Sequence, residues 1–251
     1  MANDVVLIIQ ARMTSSRLPG KVLARIGGHV ALLLMLARLA RSKYFNKIVL
    51  AVPDTIENSA LVDFGEKIAL LPVVTGPEDD VLSRFIRVVN LHPANGYVRL
   101  TADCPLICPE IVDEIIEIGR KSTAWVVSNG FPATYPDGFD AEYLRVDTLR
   151  WLDANAKSIR HREHVSLKLY EEAPTEGRPT NLVNPRGDFS SLRMTLDTHE
   201  DLVVLDKLAR SFGDDGIIHA SPEQLELRYQ ELGLFSINGR LKRNESLFIG
   251  R

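Results

Sequence analysis

The sequence predicts an α/β fold built on a mostly parallel sheet covered on both faces by helices. Over the first 130 residues, short apolar runs rich in β-branched side chains alternate with segments of helical spacing, the order that parallel strands and crossover helices require. The chain has 251 residues, 45% hydrophobic and 25% charged, enough for a sizeable core in one domain spanning 1–251 and too apolar for wholesale disorder.

Residues 5–10 form a short β-branched run that reads as a buried strand. A polar loop, ARMTSSRLPGK at 11–21, follows it, punctuated by Pro19 and Gly20. Residues 31–41 read as a buried helix, because their apolar side chains run nearly all round. The basic end from Arg38 to Lys43 suits the negative C-terminus of that helix. Residues 47–52 are the second strand, followed by a helix over about 57–68 and a short strand near 73–75. Glu78, Asp79 and Asp80 open a helix whose Val81, Leu82, Phe85, Ile86 and Val89 fall at helical spacing, and acids favour a helix N-terminus. Residues 97–101 are a strand, Pro109 and Glu110 start a helix with Ile111, Val112, Ile115 and Ile116 on one face, and 124–128 is a further strand. From about 130 to 192 the pattern is irregular, with helices expected near 146–156 and 160–172. Residues 192–196 read as a strand, and Thr198 with Asp201 resembles a capping box for a helix over about 199–211. Ser221, Pro222 and Glu223 open one more helix, over 221–233.

The bulk numbers exclude several functions. A net charge of −3 leaves no basic excess for general nucleic-acid binding. The two cysteines, Cys104 and Cys108, are no disulfide framework, and their C-x3-C spacing lacks the second pair a zinc knuckle needs; both are expected to be ordinary near-core residues. No run approaches the roughly 18 apolar residues of a membrane helix, and the apolar run at 5–9 is too short for a signal peptide, so no membrane insertion and a cytoplasmic address are expected.

The segment 10–23, QARMTSSRLPGKVL, is the most informative. It follows the first strand, where loops of an α/β sheet line the ligand crevice. It offers Arg12, Arg17 and Lys21, the small residues Thr14, Ser15, Ser16 and Gly20, and no acid, which is what a triphosphate requires. A merely solvated basic loop would look similar. It is neither a P-loop, since position 15 is Ser and position 22 is Val, nor a G-x-G-x-x-G fingerprint. A triphosphate site normally needs Mg²⁺ held by one or two carboxylates and phosphate oxygens. Asp103, after the strand at 97–101, and Asp197, after 192–196, lie where strand ends meet loops on that same edge. Each has a plainer reading, Asp103 as a helix-capping carboxylate and Asp197 as a turn residue. Ala102-Asp103-Cys104 is not the Asp-x-Asp of many glycosyltransferases.

Ile9, Ala11, Arg12, Ser15, Arg17, Leu18, Pro19, Gly20 and Lys21 form a pattern similar to the opening motif of the cytidylyltransferase family that activates acidic sugars such as sialic acid and KDO. Within it, the chain most resembles the branch named for spore-coat polysaccharide biosynthesis. The likeness continues through TGPEDDVLSRF at 75–85, VRLTADCPLI at 98–107, YPDGFDAE at 135–142, REHV at 162–165 and LRMTLDTHEDL at 192–202. The resemblance implies a three-layer Rossmann-like nucleotidyltransferase fold with a mixed, mostly parallel sheet. It also implies Mg²⁺-dependent transfer of CMP from CTP to an acidic or other sugar, pyrophosphate release, a role in surface glycan biosynthesis, and a homodimer.

Residue by residue, the resemblance makes Asp103 and Asp197 the metal ligands, and Arg12, Lys21 and Asp103 the catalytic set. Nucleotide contacts fall to Ala11, Arg12, Ser15, Arg17, Gly20 and Lys21, with Gly76, Asp80 and Arg84 on the base or ribose side, although a helix start with favourable acids explains the 76–84 segment as well. Acceptor candidates are Arg99, on the strand running to Asp103, with Asn129, Asp140, Glu142, Glu163 and His164, in or beside the irregular stretch where this family builds its acceptor site and dimer contacts; Asp140 reads equally as a strand-end turn residue. His161 and His164, three apart on an expected helix, could share a metal, but a polar helix face explains them as well and there is no H-E-x-x-H. Other readings stay open: a nucleotidyltransferase for a non-sugar or phosphorylated acceptor, a glycosyltransferase using a nucleotide-sugar, or a non-catalytic nucleotide-binding protein.

Overall fold

The computed structural model describes residues 4–172 and 177–243. In chain order the elements begin with β1 (Val5–Gln10), a 3-10 turn (Lys21–Leu23), the short pair β2 (Arg25–Ile26) and β3 (His29–Val30), and α1 (Ala31–Leu39). Next come β4 (Lys47–Pro53), a 3-10 turn (Ile56–Asn58), α2 (Ser59–Lys67), β5 (Val73–Gly76), α3 (Val81–Leu91), β6 (Gly96–Thr101), α4 (Pro109–Lys121) and β7 (Val126–Ser128). Then follow β8 (Glu142–Arg145), α5 (Val146–Asn155), α6 (Ile159–Glu163), α7 (Leu167–Glu172) and β9 (Thr180–Asn181). The described chain closes with α8 (His199–Phe212), α9 (Asp214–His219), α10 (Pro222–Glu231) and α11 (Phe235–Asn238).

The main sheet has the order β5-β4-β1-β6-β8-β7-β9. The first four of these run parallel, and β8 inserts antiparallel between β6 and β7. This is the mixed, mostly parallel sheet expected, and its two faces explain why the strands read as continuous apolar runs. Val5, Leu7 and Ile9 face a core with α1, α4 and α8, while Val6 and Ile8 face a second core with α3, α5 and α7. Both helix starts inferred from capping chemistry are present. Thr198 and Asp201 exchange hydrogen bonds in a capping box, and Ser221 and Gln224 do the same at α10.

The structure corrects two expectations and adds a strand. Residues 192–196 are extended but join no ladder. Leu192 O accepts from Asp137 N, Met194 N donates to Asp137 O at 2.6 Å and Leu196 N donates to Asp103 O at 2.7 Å, so the segment is stitched to two loops instead of a strand. The helix expected over 160–172 is two helices, α6 and α7, broken at Val165, whose φ is +43°. The strand β8 went unread, because four residues with charged ends, EYLR, give no clear alternation.

Gly138 carries one packing requirement that shapes the site. Its φ is +106°, and a Cβ there would lie 2.5 Å from the Met194 carbonyl, so only glycine lets the 135–142 loop lie against the segment carrying Asp197.

Candidate active site

A cavity of about 560 Å³ opens at the carboxyl ends of β1 and β6, where the sheet order places a ligand crevice. Its floor is the loop after β1. Asn58, fully buried, accepts from Met13 N at 2.8 Å, and Gly20 N donates back to Met13 O at 2.9 Å, so the loop is held closed at its base. Ala11, Arg12, Ser15, Arg17 and Lys21 all line the cavity. Gly20 does not; at φ +69° it makes the turn that delivers Lys21.

Lys21 is buried between two carboxylates, its Nζ 2.9 Å from Asp103 Oδ2 and 2.6 Å from Asp197 Oδ1. Burial works against the ammonium, but Asp103 and Asp197 outweigh it and hold the Lys21 pKa above its ordinary value. Burial likewise works against the Asp103 carboxylate, but Lys21 and the Thr101 hydroxyl keep it below the usual carboxylate range. Arg17 Nη2 lies 3.3 Å from Asp197 Oδ2. Asp103 does not cap α4, whose N-cap is Cys108.

Behind Asp197 stands an unread residue, Arg193, 4% exposed. Its guanidinium donates to Asp201 at 2.9 and 3.0 Å, to Asp137 at 2.7 Å and to Asp197 at 3.4 Å. Asp201 is fully buried and also accepts from Asp197 N, Thr198 N and the Asn238 amide. Asp137 itself lines the cavity; burial and the neighbouring Asp140 push it up to about 7, against the pull of Arg243 and Arg193.

On the side of β5 and α3, Arg12 lies 3.7 Å from Glu78, which also accepts from the Thr14 hydroxyl. Arg84 is buried and donates to Pro77 O and to Glu78 O, propping this turn; burial and Arg12 hold its pKa below the ordinary value. Gly76 and Asp80 do not line the cavity. A Cβ on Gly76 would meet Arg84 Cγ at 2.9 Å, and Asp80 caps α3 through Ser83 N at 2.9 Å while its second oxygen accepts from Arg162 Nε at 2.6 Å. Their influence on the cavity runs through Arg84 and α3.

The opposite wall holds the residues expected for an acceptor. Arg99 on β6 faces Glu142 on β8 in register and donates to it at 2.7 Å, while its Nε donates to Gln10 at 3.0 Å. Glu142 also accepts from Ser166 at 2.8 Å and from Tyr170 at 3.3 Å. Asn129 lines the cavity, yet both ends of its amide are used internally, toward Phe139 O and Ala141 N. Asp140, Glu163 and His164 reach the same space; burial, with Arg99 and Arg160, outweighs Glu163 and lowers the His164 pKa, favouring neutral imidazole.

His161 and His164 do not form a pair, since His161 Nε2 lies 2.7 Å from Glu171. Among the described residues no group of three or more His, Cys, Asp and Glu side chains is arranged to hold a metal. Asp103 and Asp197 remain a fitting pair for a hard cation: both already bond one cation, the Lys21 ammonium, and two carboxylates completed by phosphate oxygens and water are the ligand set magnesium favours. Both cysteines are buried, and burial pushes Cys108 to about 12, so neither is a nucleophile.

A cationic loop follows the first strand, and its Lys21 meets two carboxylates, Asp103 beyond β6 and Asp197 on the segment bonded to it, beside a polar cavity. The family model described as cytidylyltransferase matches residues 6–176, and the chain belongs to that family.

Among its relatives, the spore coat polysaccharide biosynthesis protein SpsF of Bacillus subtilis is 31% identical over 227 residues, covering 87% of this chain and 92% of its own. An uncharacterized protein of Methanocaldococcus jannaschii is 32% identical, covering 83% of this chain and 84% of its own. A Shewanella amazonensis 8-amino-3,8-dideoxy-manno-octulosonate cytidylyltransferase is 32% identical, over 47% of this chain and 48% of its own. Among solved structures, a cytidylyltransferase from Leptospira borgpetersenii superimposes with a TM-score of 0.86 at 27% identity, covering 96% of this chain and 98% of that one. A CMP:2-keto-3-deoxy-manno-octonic acid synthetase complexed with CTP shares the fold, with a TM-score of 0.61 at 19% identity over 83% of this chain and 99% of that one.

Proposed function

We propose that the chain is a magnesium-dependent enzyme that transfers CMP from CTP to a sugar, releasing pyrophosphate, in the biosynthesis of a surface glycan. The observation that carries this reading is the buried Lys21 held between Asp103 and Asp197 at the base of a cationic loop. The kinship to a spore coat polysaccharide protein and to octulosonate cytidylyltransferases supports the sugar acceptor, and a fold neighbour complexed with CTP supports the nucleotide. A Mycobacterium tuberculosis neighbour complexed with manganese, TM-score 0.57, supports a divalent metal.

In this reading a sugar oxygen attacks the α-phosphorus of CTP, the bond from that phosphorus to the β-phosphate bridging oxygen breaks, and pyrophosphate leaves; the hydroxyl proton passes to solvent. Arg12, Arg17 and Lys21 neutralise and orient the phosphates, with Ala11, Ser15 and Gly20 shaping the loop around them. A magnesium ion held by Asp103 and Asp197 would supply charge neutralisation at the phosphates and a more acidic attacking hydroxyl. Gly76, Asp80 and Arg84 set the base and ribose side, through the turn that Arg84 props. Arg99, Asn129, Asp140, Glu142, Glu163 and His164 shape the acceptor wall, Asn129 by bracing the backbone there. The enzyme works as a single-domain protein in a cytoplasmic homodimer; no helix among the described residues is long and apolar enough to cross a membrane.

Thermal unfolding with CTP, UTP, ATP and GTP, each with and without Mg²⁺, tests the reading. A ligand at ~100 times its dissociation constant stabilises the native state by about 2.7 kcal/mol, a rise on the order of 5–10 °C for a domain of this size. The expected result is a rise specific to CTP with Mg²⁺ that Asp103→Asn and Asp197→Asn abolish. A flat response to all four triphosphates overturns the assignment.

A further inference from the structure

The family match ends at residue 176, yet the last described residues of the chain return to the cavity. The return is anchored by Asn238 on α11, fully buried, which donates to Arg193 O at 3.1 Å and to Asp201 at 2.9 Å and accepts from Tyr229 OH at 2.6 Å. Beyond it, Lys242 lines the cavity and its carbonyl lies 3.5 Å from Arg193 Nη1. Arg243 then turns inward, its side chain 14% exposed. One nitrogen donates to Tyr135 O at 2.9 Å, and another is ion-paired with Asp140 Oδ1. The guanidinium thus spans the 135–142 loop from its first residue to its acidic turn. Burial works against its charge, and Asp140 and Asp137 outweigh that cost. Without the arginine, Asp140 would lose this ion pair and Asp137 would keep its bond to Arg193.

We propose that Arg243 is a positioning residue for the sugar: it clamps the 135–142 loop and fixes the Asp140 carboxylate as a hydrogen-bond acceptor for hydroxyl groups of a polyhydroxylated substrate. This rests on the reading of the cavity as a nucleotidyltransferase site with Asp140 on its acceptor side. A carboxylate offers about four acceptor positions, and Asp140 commits one oxygen to Arg243 and makes only a long contact, 3.4 Å, from Gly138 N with the other. The carboxylate therefore keeps acceptor capacity on the face that lines the cavity. The arginine supplies what a lysine would do less well, a planar fork bonding a carbonyl and a carboxylate at once.

The experiment compares full-length wild type, Arg243→Met and Arg243→Lys by three readouts. Hydrogen exchange of the amides in residues 135–142 needs no acceptor and should accelerate at least about tenfold in Arg243→Met, with partial recovery in Arg243→Lys. The stabilisation by CTP with Mg²⁺ should be retained in both variants. With 3-deoxy-octulosonate as the acceptor probe and pyrophosphate release as the signal, KM for the probe should rise about tenfold or more while KM for CTP stays fixed. Unchanged exchange in 135–142, or a loss of the CTP response that parallels the loop's loosening, overturns the proposal. A wild type that ignores CTP instead overturns the nucleotidyltransferase reading, while the exchange result still reports on the clamp.

Discussion

Replacing Arg193 by Met removes the one side chain that bonds Asp137, Asp197 and Asp201 together, and the structure sets the size of the loss. Asp201 keeps three donors, the N–H groups of Asp197 and Thr198 and the Asn238 amide, so it is not stranded. Asp197 is 22% exposed and pairs with Arg193 only at 3.4 Å, so water absorbs most of that change. Asp137 bears the cost: its carboxylate is 10% exposed and Arg193 is its close ion-pair partner. Breaking a buried pair from one side costs about 3–5 kcal/mol where the carboxylate is ionised, and the retained donors on Asp201 put this case at about 3 kcal/mol at pH 8, a fall in Tm of roughly 6–12 °C. The loss should depend on pH in a definite direction. Asp137 titrates near about 7 with Arg193 present, so wild type releases that proton above neutrality. Without the guanidinium the proton stays on to higher pH in the folded state, and stability goes on falling where the wild type has levelled off. The difference between the two proteins should therefore grow by up to about 1.4 kcal/mol from pH 7 to pH 8. Urea unfolding of both proteins at pH 6, 7 and 8 in chelator measures it. A loss under about 1 kcal/mol at pH 8, or one identical at pH 6 and 8, refutes Arg193 as the hub of the carboxylates.

Three further outcomes follow from single contacts. Asp137→Asn removes a group whose folded pKa is raised, and a raised carboxylate contributes stability that is present below its unfolded pKa and lost as pH rises through about 7; the variant should gain on wild type by up to about 1.4 kcal/mol per pH unit between pH 4 and 7, read by denaturant titration. Lys21→Met leaves Asp103 and Asp197 facing each other, which should cost about 1–2 kcal/mol in chelator, discounted for their partial exposure, and Mg²⁺ should restore more stability to the variant than it adds to wild type in thermal melts. Gly138→Ala forces a Cβ to 2.5 Å from the Met194 carbonyl at a φ of +106°, and should cost about 2 kcal/mol or more in urea while loosening the 135–142 loop in hydrogen exchange.

The parallel half of the fold was legible because its strands are buried on both faces and its helices carry one apolar face each, so period and capping agree. The β8 strand was not, since its meaning lies in a partner 43 residues away: Glu142 belongs in a strand because it sits opposite Arg99. The segment 192–196 alternates as a strand would, but its backbone bonds go to Asp137 and to Asp103, and no local pattern records that choice. In the site, Lys21 and Asp103 could be read because each lies beyond an apolar strand ending at the same sheet edge, whereas Asp197 was placed there by an expected strand at 192–196 and in fact reaches the site through the bond from Leu196 N to Asp103 O. Arg193 and Asp137 lay inside motifs already singled out, unremarked because their bonds to one another are nonlocal. Asn58 had no signal at all: one side-chain oxygen accepting the Met13 N–H across 45 residues is invisible without the fold. The same holds for the end of the chain, where Arg243 acquires a reading only from the loop it spans.

The way Asp103 and Asp197 are joined bears on how a lysine and a metal can share one position. Asp103 O accepts from Leu196 N at 2.7 Å and from the Thr195 hydroxyl at 3.1 Å, so backbone bonds, and not Lys21, fix the distance between the two aspartates. Asp197 is held from behind by its own N–H bonded to Asp201 at 3.0 Å. The ammonium can therefore move from the carboxylates toward a phosphate without either carboxylate losing its place, which is what the proposed binding of a metal and a triphosphate at this site requires. This also separates the two substitutions argued above: Lys21→Met removes a cation from between the two aspartates, so added metal can compensate, whereas the cost of Arg193→Met falls on Asp137, outside that pair, so added metal should restore little. A magnesium rescue of equal size in both variants would mean that Arg193 acts on Asp103 and Asp197 and not chiefly on Asp137.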